Sequence, residues 1–313
     1  MADLKTPQTA RTRLAVAGAR ATTEQIFGQR TPRERASNTL FLAMLLLGLS
    51  VALVGLVTMI VWMIVEGAPR FSLDLITNVP SVVAPETAGF RPAILGSLYM
   101  ILGVIGLIVP LGVGAAVYLE EFADKTKWYN RFFELNIQNL AGVPSIVFGI
   151  LGLAYIVRAP LNLGFTVAAA SLTIAMLVLP TVILAAREAI RAVPPSIREG
   201  SLALGATPWQ TVWKQVLPAA ASGILTGVIL AVARAVGEAA PLLLVGAVTF
   251  VTFDPSPFEG GYTTLPTQIF DWAKQAQAEF HELAAAGVLL MLIFVLTMNS
   301  FAIWLRNRFE QEW

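Results

Sequence analysis

Six stretches of the chain stay apolar for about 20 residues or more, the length a helix needs to cross a hydrocarbon core of roughly 30 Å. They are Thr39–Val65, Pro92–Tyr118, Ile137–Val157, Phe165–Ala186, Pro218–Val251 and Leu283–Leu305. Their length and continuity predict six membrane-spanning helices and an all-α membrane protein. The first is too long for the apolar part of a signal peptide and stands behind a polar tail, so it reads as a permanent span. That tail, Met1–Asn38, is rich in Ala, Thr, Arg and Gln and reads as a weakly structured extension. Residues 39–313 then form one membrane domain.

Charge fixes the orientation. Of the 21 Lys and Arg residues, 16 fall in the N-terminal tail, the 119–136 and 187–217 loops and the C-terminal tail. Arg70, Arg91, Arg158 and Lys274 lie on the opposite side. Cytoplasmic loops carry the excess of basic residues, so both termini face the cytoplasm. On the outer side, Gly67–Arg91 reads as a loop, and Phe253–Gly261, with Pro255, Pro257 and Gly260-Gly261, reads as a turn. After Pro266, residues Ile269, Trp272, Ala273, Ala276 and Phe280 share a helical face, which predicts a short helix in the outer interface with His281 at its end.

Composition narrows the chemistry. The chain is 56% apolar and only 13% charged, against about 25% charged in soluble domains, and its mean hydropathy is +0.71. A net charge of +1 supplies no field for nucleic acid. There is no cysteine and a single histidine, His281, so no metal centre, thiol nucleophile or cofactor is expected. No lysine follows a glycine, which excludes a phosphate-binding loop of the G-x-x-x-x-G-K type. Enzymatic chemistry in this chain is not expected. Uphill transport would draw its energy from another subunit or from an ion gradient.

The longest cytoplasmic connection, Arg187–Leu217, is unusually well punctuated. Pro194 and Pro195 stop the helix leaving the membrane, and Ser196 is placed to cap a new one from Ile197. Gly205 suits a left-handed C-terminal cap, and Thr207 precedes a proline at the first position of a further helix. The result is a short helix–turn–helix outside the bilayer. It is either a device that receives force from a soluble motor or a well-capped connector.

Glu199, Gly205 and Leu217-Pro218 are spaced as in the E-A-A-x3-G-x9-I-x-L-P loop, and the segment resembles that loop of bacterial ABC importer permeases. Gly200 and Ser201 stand for the two alanines and Gln215 for the aliphatic residue. The resemblance implies that the loop docks on an ATP-hydrolysing subunit, with Glu199, Ser201 and Gly205 in the coupling segment.

Across the six spans the charged side chains are Arg234 and Glu238, both in the fifth. If that span enters the membrane near Ser222, Arg234 lies about 18 Å along it, near the midplane, where a charge costs on the order of 3 kcal/mol. Spaced i,i+4, the two share a face. They form either a structural ion pair or an anion-attracting site in a pathway, where the guanidinium fork suits phosphate or sulfate oxygens. Gly223, Gly227, Ala231, Ala235 and Ala239 repeat a small residue every fourth position, and Pro241 breaks or kinks the span. In the third span Pro144 frees a carbonyl beside Ser145, either as a packing kink or as a substrate contact at an interrupted helix.

The stretches Asn136–Leu153 and Gly223–Leu244 are similar to the A-type permease subunits of phosphate-specific ABC importers. This resemblance runs from about Arg91 to Asn307, with Ala239 where that family usually has threonine. It implies the type I importer permease architecture in a bacterial inner membrane. It also implies a C-type permease partner, a dimer of cytoplasmic ATPase subunits and an external phosphate-binding protein. Permeases for sulfate or molybdate, an ion-coupled secondary transporter and a non-transporting membrane scaffold are the alternative readings.

Overall fold

A computed structural model describes residues 32–247 and 250–309. The helices are α1 (Pro32–Gly67), α2 (Leu73–Thr77), α3 (Arg91–Val117), α4 (Trp128–Ala141), α5 (Ser145–Leu151) and α6 (Val167–Arg191). There follow α7 (Pro195–Ala203), α8 (Pro208–Thr211), α9 (Leu217–Gly237), α10 (Ala240–Leu244), α11 (Leu265–Ala273) and α12 (Ala278–Phe309). Wider π-helical turns extend α3 through Tyr118–Phe122 and α5 through Gly152–Arg158, and Val212–Val216 joins α8 to α9. Among the described residues there is no strand, only an isolated bridge between Ala247 and Tyr262.

The chain divides into two units, residues 1–62 and 63–313. In the first, α1 starts at Pro32, so the helix takes in the last residues of the polar tail; residues 1–31 lie outside the described ones. From residue 36 to 62 its side chains are exposed on nearly every face. Its length and mean hydropathy of 2.8 make it a candidate membrane span.

In the second unit α6 is the central helix. It packs against α3 and α9, and Ile174, Leu177, Val178, Val182 and Ile190 are buried along it. Without a hydrophobic drive between helices in lipid, close approach of backbones must supply the attraction. The small residues of α9 do this: a Cβ on Gly223 would lie 2.7 Å from the Ala189 Cβ, and Gly227 faces Ala185. Ser171 ties the other side, its one hydroxyl proton shared between the Val167 carbonyl at 2.9 Å and the Met100 carbonyl of α3 at 3.2 Å.

Two spans differ from the sequence expectation. The third is not one helix over Ile137–Val157 but two, Trp128–Ala141 and Ser145–Arg158, bent by 109°. Pro144 has no N–H for the carbonyl four residues back, so α4 stops and α5 restarts in a new direction. The fifth does not continue to Val251; α9 ends at Gly237 and a separate short helix, α10, follows. The break precedes Pro241 because a proline ring clashes with the carbonyl at i−4, here Gly237.

The outer helix also departs from expectation. It stops at Ala273, and Trp272 and Phe280 turn inward instead of toward lipid. They join Leu75, Phe90, Leu265 and Leu283 in a second apolar core, with Phe90 and Trp272 packed edge to face at 4.5 Å. Its start is fixed by a capping box between Thr264 and Thr267. His281 stands exposed at the first turn of α12, its Nε2 2.9 Å from the Gln275 carbonyl.

Candidate functional site

Arg234 and Glu238 sit where the fifth span is interrupted. Arg234 occupies the last turn of α9, where the unpaired carbonyls of the helix end favour a cation by about 0.3–1 kcal/mol. Glu238 follows in extended conformation, with φ −77° and ψ 119°. Its Oε1 accepts from Arg234 Nε at 3.3 Å, a single long contact with 43% of the arginine side chain and 17% of the glutamate exposed. A guanidinium offers five N–H donors, and this geometry engages one. A structural ion pair would present the fork bidentately. The observed pair leaves most of the arginine's recognition capacity open.

Depth follows from helix register. Gly223 lies opposite Ala189 and Gly227 opposite Ala185, so α9 and α6 are antiparallel. Continuing that register puts Arg234 level with Val178, about 16 Å from the outer end of α6 at Val167. In the same way Gly152 faces Thr173, which places Ser145 level with Pro180. By this count Arg234 and Ser145 stand at similar heights along α6.

The two interruptions are brought together by α5 and α10. A Cβ on Gly149 would stand 2.7 Å from the Pro241 Cα, and one on Gly152 would stand 2.9 Å from Val245 Cγ1. The chain after Glu238 thus lies directly on the helix that begins at Ser145, a half-buried residue whose side chain makes no hydrogen bond among the described residues. Pro144 is the N-cap of α5 and Pro241 lies in the first turn of α10. Gly149 is required here by contact, not by conformation. Gly149→Leu should destabilise the subunit by about 1–3 kcal/mol through overpacking against backbone. Gly114→Leu, with open space around it, is the control, and the comparison is read as apparent Tm.

The cytoplasmic loop folds as a helix–turn–helix with its own internal ties. The first helix begins at Pro195, not Ile197, and Ser196 makes no cap because Pro194 takes the N-cap position. Gly205 has φ +86°, and the Gly205 and Ala206 N–H groups donate to the carbonyls of Leu202 and Ser201 at 2.9 and 3.2 Å. Thr207 and Gln210 form a reciprocal capping box ahead of α8. Ser201 Oγ lies 2.9 Å from Thr211 Oγ1, joining the two arms, while Glu199 and Leu204 face outward, Leu204 with 91% exposure.

One ionic cluster beneath this loop has no counterpart in the motif reading. Glu120, 4% exposed, accepts from Arg187 and Arg191 at 2.8 and 2.7 Å, and Arg187 also reaches Glu134 at 2.7 Å. Arg198 of α7 pairs with Glu121 at 2.7 Å. The partners are 53 to 77 residues apart in sequence, and each alone looks like an ordinary cytoplasmic charge. Only the conjunction of two glutamates ending an apolar span would have hinted at it.

The wider comparisons agree with this architecture. Residues 33–312 match the family described as the inner membrane component of binding-protein-dependent transport systems. A probable ABC transporter permease protein, YqgI of Bacillus subtilis, is 32% identical over 272 residues, covering 82% of this chain and 92% of the relative. The phosphate transport system permease protein PstA of Yersinia pestis is 34% identical over 239 residues, 76% of this chain and 79% of its own. PstA 1 of Mycobacterium tuberculosis is 36% identical over 230 residues, 72% of this chain and 73% of that protein. Among solved structures, a bacterial alginate ABC transporter chain superposes with a TM-score of 0.64 at 16% identity, over 90% of this chain and 98% of that one. A chain of the MetNI methionine ABC transporter gives 0.55 at 18% identity, over 69% and 92%. With the family match running from the first span to the last, this chain belongs to the inner membrane components of binding-protein-dependent transport systems.

Proposed function

We propose that this chain is a permease subunit of an ATP-driven phosphate importer, forming half of the translocation pathway. The observation that carries the reading is Arg234: a guanidinium at an interrupted span, one donor engaged and the rest available to an oxyanion. Relatives that bear the name of phosphate permeases support the choice of cargo. Ser145, at the start of α5 on the other interrupted span, adds a hydroxyl. Glu238 holds the guanidinium in place through one contact and repels an anion that approaches from its own side.

The chain carries no nucleotide-binding motif, so ATP hydrolysis belongs to a partner. Two copies of a cytoplasmic ATPase would dock on the loops of this subunit and of a C-type permease, and an external phosphate-binding protein would deliver the cargo. Glu199, Gly205 and the outward Leu204 form the docking tip, with Ser201 tying it from within. The basic tail ahead of α1 would lie on the cytoplasmic side.

Reconstitution tests the whole reading. Proteoliposomes holding this chain, the second permease, the ATPase and the binding protein should accumulate labelled phosphate only when ATP is inside the ATPase-facing compartment. Excess sulfate or molybdate should not compete. Phosphate movement without the ATPase would overturn the reading in favour of an ion-coupled transporter, and competition by sulfate or molybdate would reassign the cargo.

A further inference from the structure

We propose that Arg198 and Glu121 clamp the coupling helix α7 to the inner ends of α3 and α6, making it a rigid extension of the spans. Force applied at Glu199 and Leu204 would then reach the membrane instead of dissipating in the loop. The inference rests on the reading of α7 as the ATPase-docking segment and adds the residues that transmit its motion.

Arg198 leaves α7 about 100° around the helix from Glu199 and reaches the ends of the neighbouring spans. Its Nη2 donates to Glu121 Oε1 at 2.7 Å and to the Ile190 carbonyl at 2.8 Å. Nη1 donates to the Val193 carbonyl at 2.7 Å, and Nε reaches Glu121 Oε1 at 3.1 Å. One side chain thus binds the last turn of α6, the linker after it and the turn that ends α3. With 24% of the arginine and 12% of the glutamate exposed, the pair is largely withdrawn from solvent screening. An exposed pair of this kind would hold two flexible side chains for little gain; this one has two backbone carbonyls fixing the guanidinium plane.

The adjacent Glu120 continues the connection. It takes Arg187 and Arg191 from α6 and Lys125 from the loop after α3, at 2.8, 2.7 and 3.1 Å. Arg187 in turn holds Glu134 of α4, the arm that leads through the 109° bend to Ser145. Displacement of α7 is therefore shared by three membrane elements, one of which carries the interrupted span. Arg198 touches no cargo. It is a positioning residue.

The chain has no cysteine, so two can be introduced for spin labels, Ser196→Cys on α7 and Lys127→Cys beyond α3, both exposed. In the assembled complex the parent pair should give one narrow distance distribution. Arg198→Gln should broaden it and lower the phosphate transported per ATP hydrolysed by about ten-fold, while ATP hydrolysis continues. Arg198→Lys, which keeps charge but loses the fork, should fall between. Should Arg198→Gln fail to assemble, Glu121→Gln reads the same contact with both carbonyl bonds retained. An unchanged distance distribution in whichever variant assembles, together with an unchanged transport-to-hydrolysis ratio, would overturn the clamp. Absence of ATP-driven phosphate uptake in the parent complex would count against the cargo instead, since the label distances need no substrate.

Discussion

Arg234→Gln should insert, co-purify with its partner subunits and take up phosphate about 10–100-fold more slowly than the parent. That range corresponds to losing one charge-assisted hydrogen bond of roughly 1.5–3 kcal/mol to the passing anion. The variant keeps side-chain length and some hydrogen bonding, so a change in uptake reports the charge and the fork. Arg234→Lys should recover only part of the activity, because an ammonium is a point charge where the guanidinium is a planar, bidentate donor. The competing explanation is a structural pair with Glu238, and it makes a different demand. Neutralising only the arginine would leave a mostly buried carboxylate without its partner, at a cost borne by assembly. Neutralising both, in Arg234→Gln with Glu238→Gln, would then restore assembly and uptake together. Full transport by the double variant would refute the anion role of Arg234. The 3.3 Å single contact and the exposure of the arginine favour the first outcome.

That an arginine stands inside the fifth apolar run is legible in the sequence. A charge inside a long apolar run is costly, and helix rise predicts a place near the middle of the bilayer for it. The spans at Pro92–Tyr118 and Phe165–Ala186 were equally clear, because uninterrupted apolar length is a direct measure of what can cross a membrane. The two interrupted spans were harder. Their apolar composition runs straight through the breaks, and hydropathy does not record whether a carbonyl finds its N–H. Pro144 and Pro241 marked the places, yet the size of the 109° bend depends on what α4 packs against, which is Arg187 and α6. The small-residue stripe of α9 predicted a close neighbour without naming it; Ala185 and Ala189 supply the complementary surface from α6.

Burial misled the sequence reading at the outer face for a related reason. Trp272 and Phe280 fall on one side of an amphipathic stretch, and lipid or protein can satisfy such a face equally well. What decides is Phe90, about 180 residues earlier, whose ring meets Trp272 at 4.5 Å. The ionic cluster shows the same limit with charge. Glu120, Glu121, Arg187 and Arg198 each conform to the usual distribution of charge at the cytoplasmic face, so none stood out. Their pairing is a property of tertiary contact alone.

Gly205→Pro should leave the subunit inserted and assembled yet break the link between ATP hydrolysis and transport. Gly205 has φ +86°, and proline is confined near −65°, so the backbone cannot keep its course. The substitution also removes the N–H that donates to the Leu202 carbonyl, and with it half of the helix-ending motif completed by Ala206 and Ser201. Both changes act on the turn itself, because a Cβ at this position meets nothing within 4 Å. Losing the turn shifts the approach of Thr207, whose capping box sets the start of α8, and strains the Ser201–Thr211 bond that joins the two arms. The buried core of α3, α6 and α9 is untouched, which is why insertion and co-purification should survive. Phosphate moved per ATP should fall by about ten-fold or more, on the scale of a typical coupling free energy. Gly205→Asn, which tolerates the left-handed region, should retain most of the coupling and separates backbone conformation from loss of glycine as such. Normal coupled transport by Gly205→Pro would show that the geometry of this turn has no part in transmitting the motor's work.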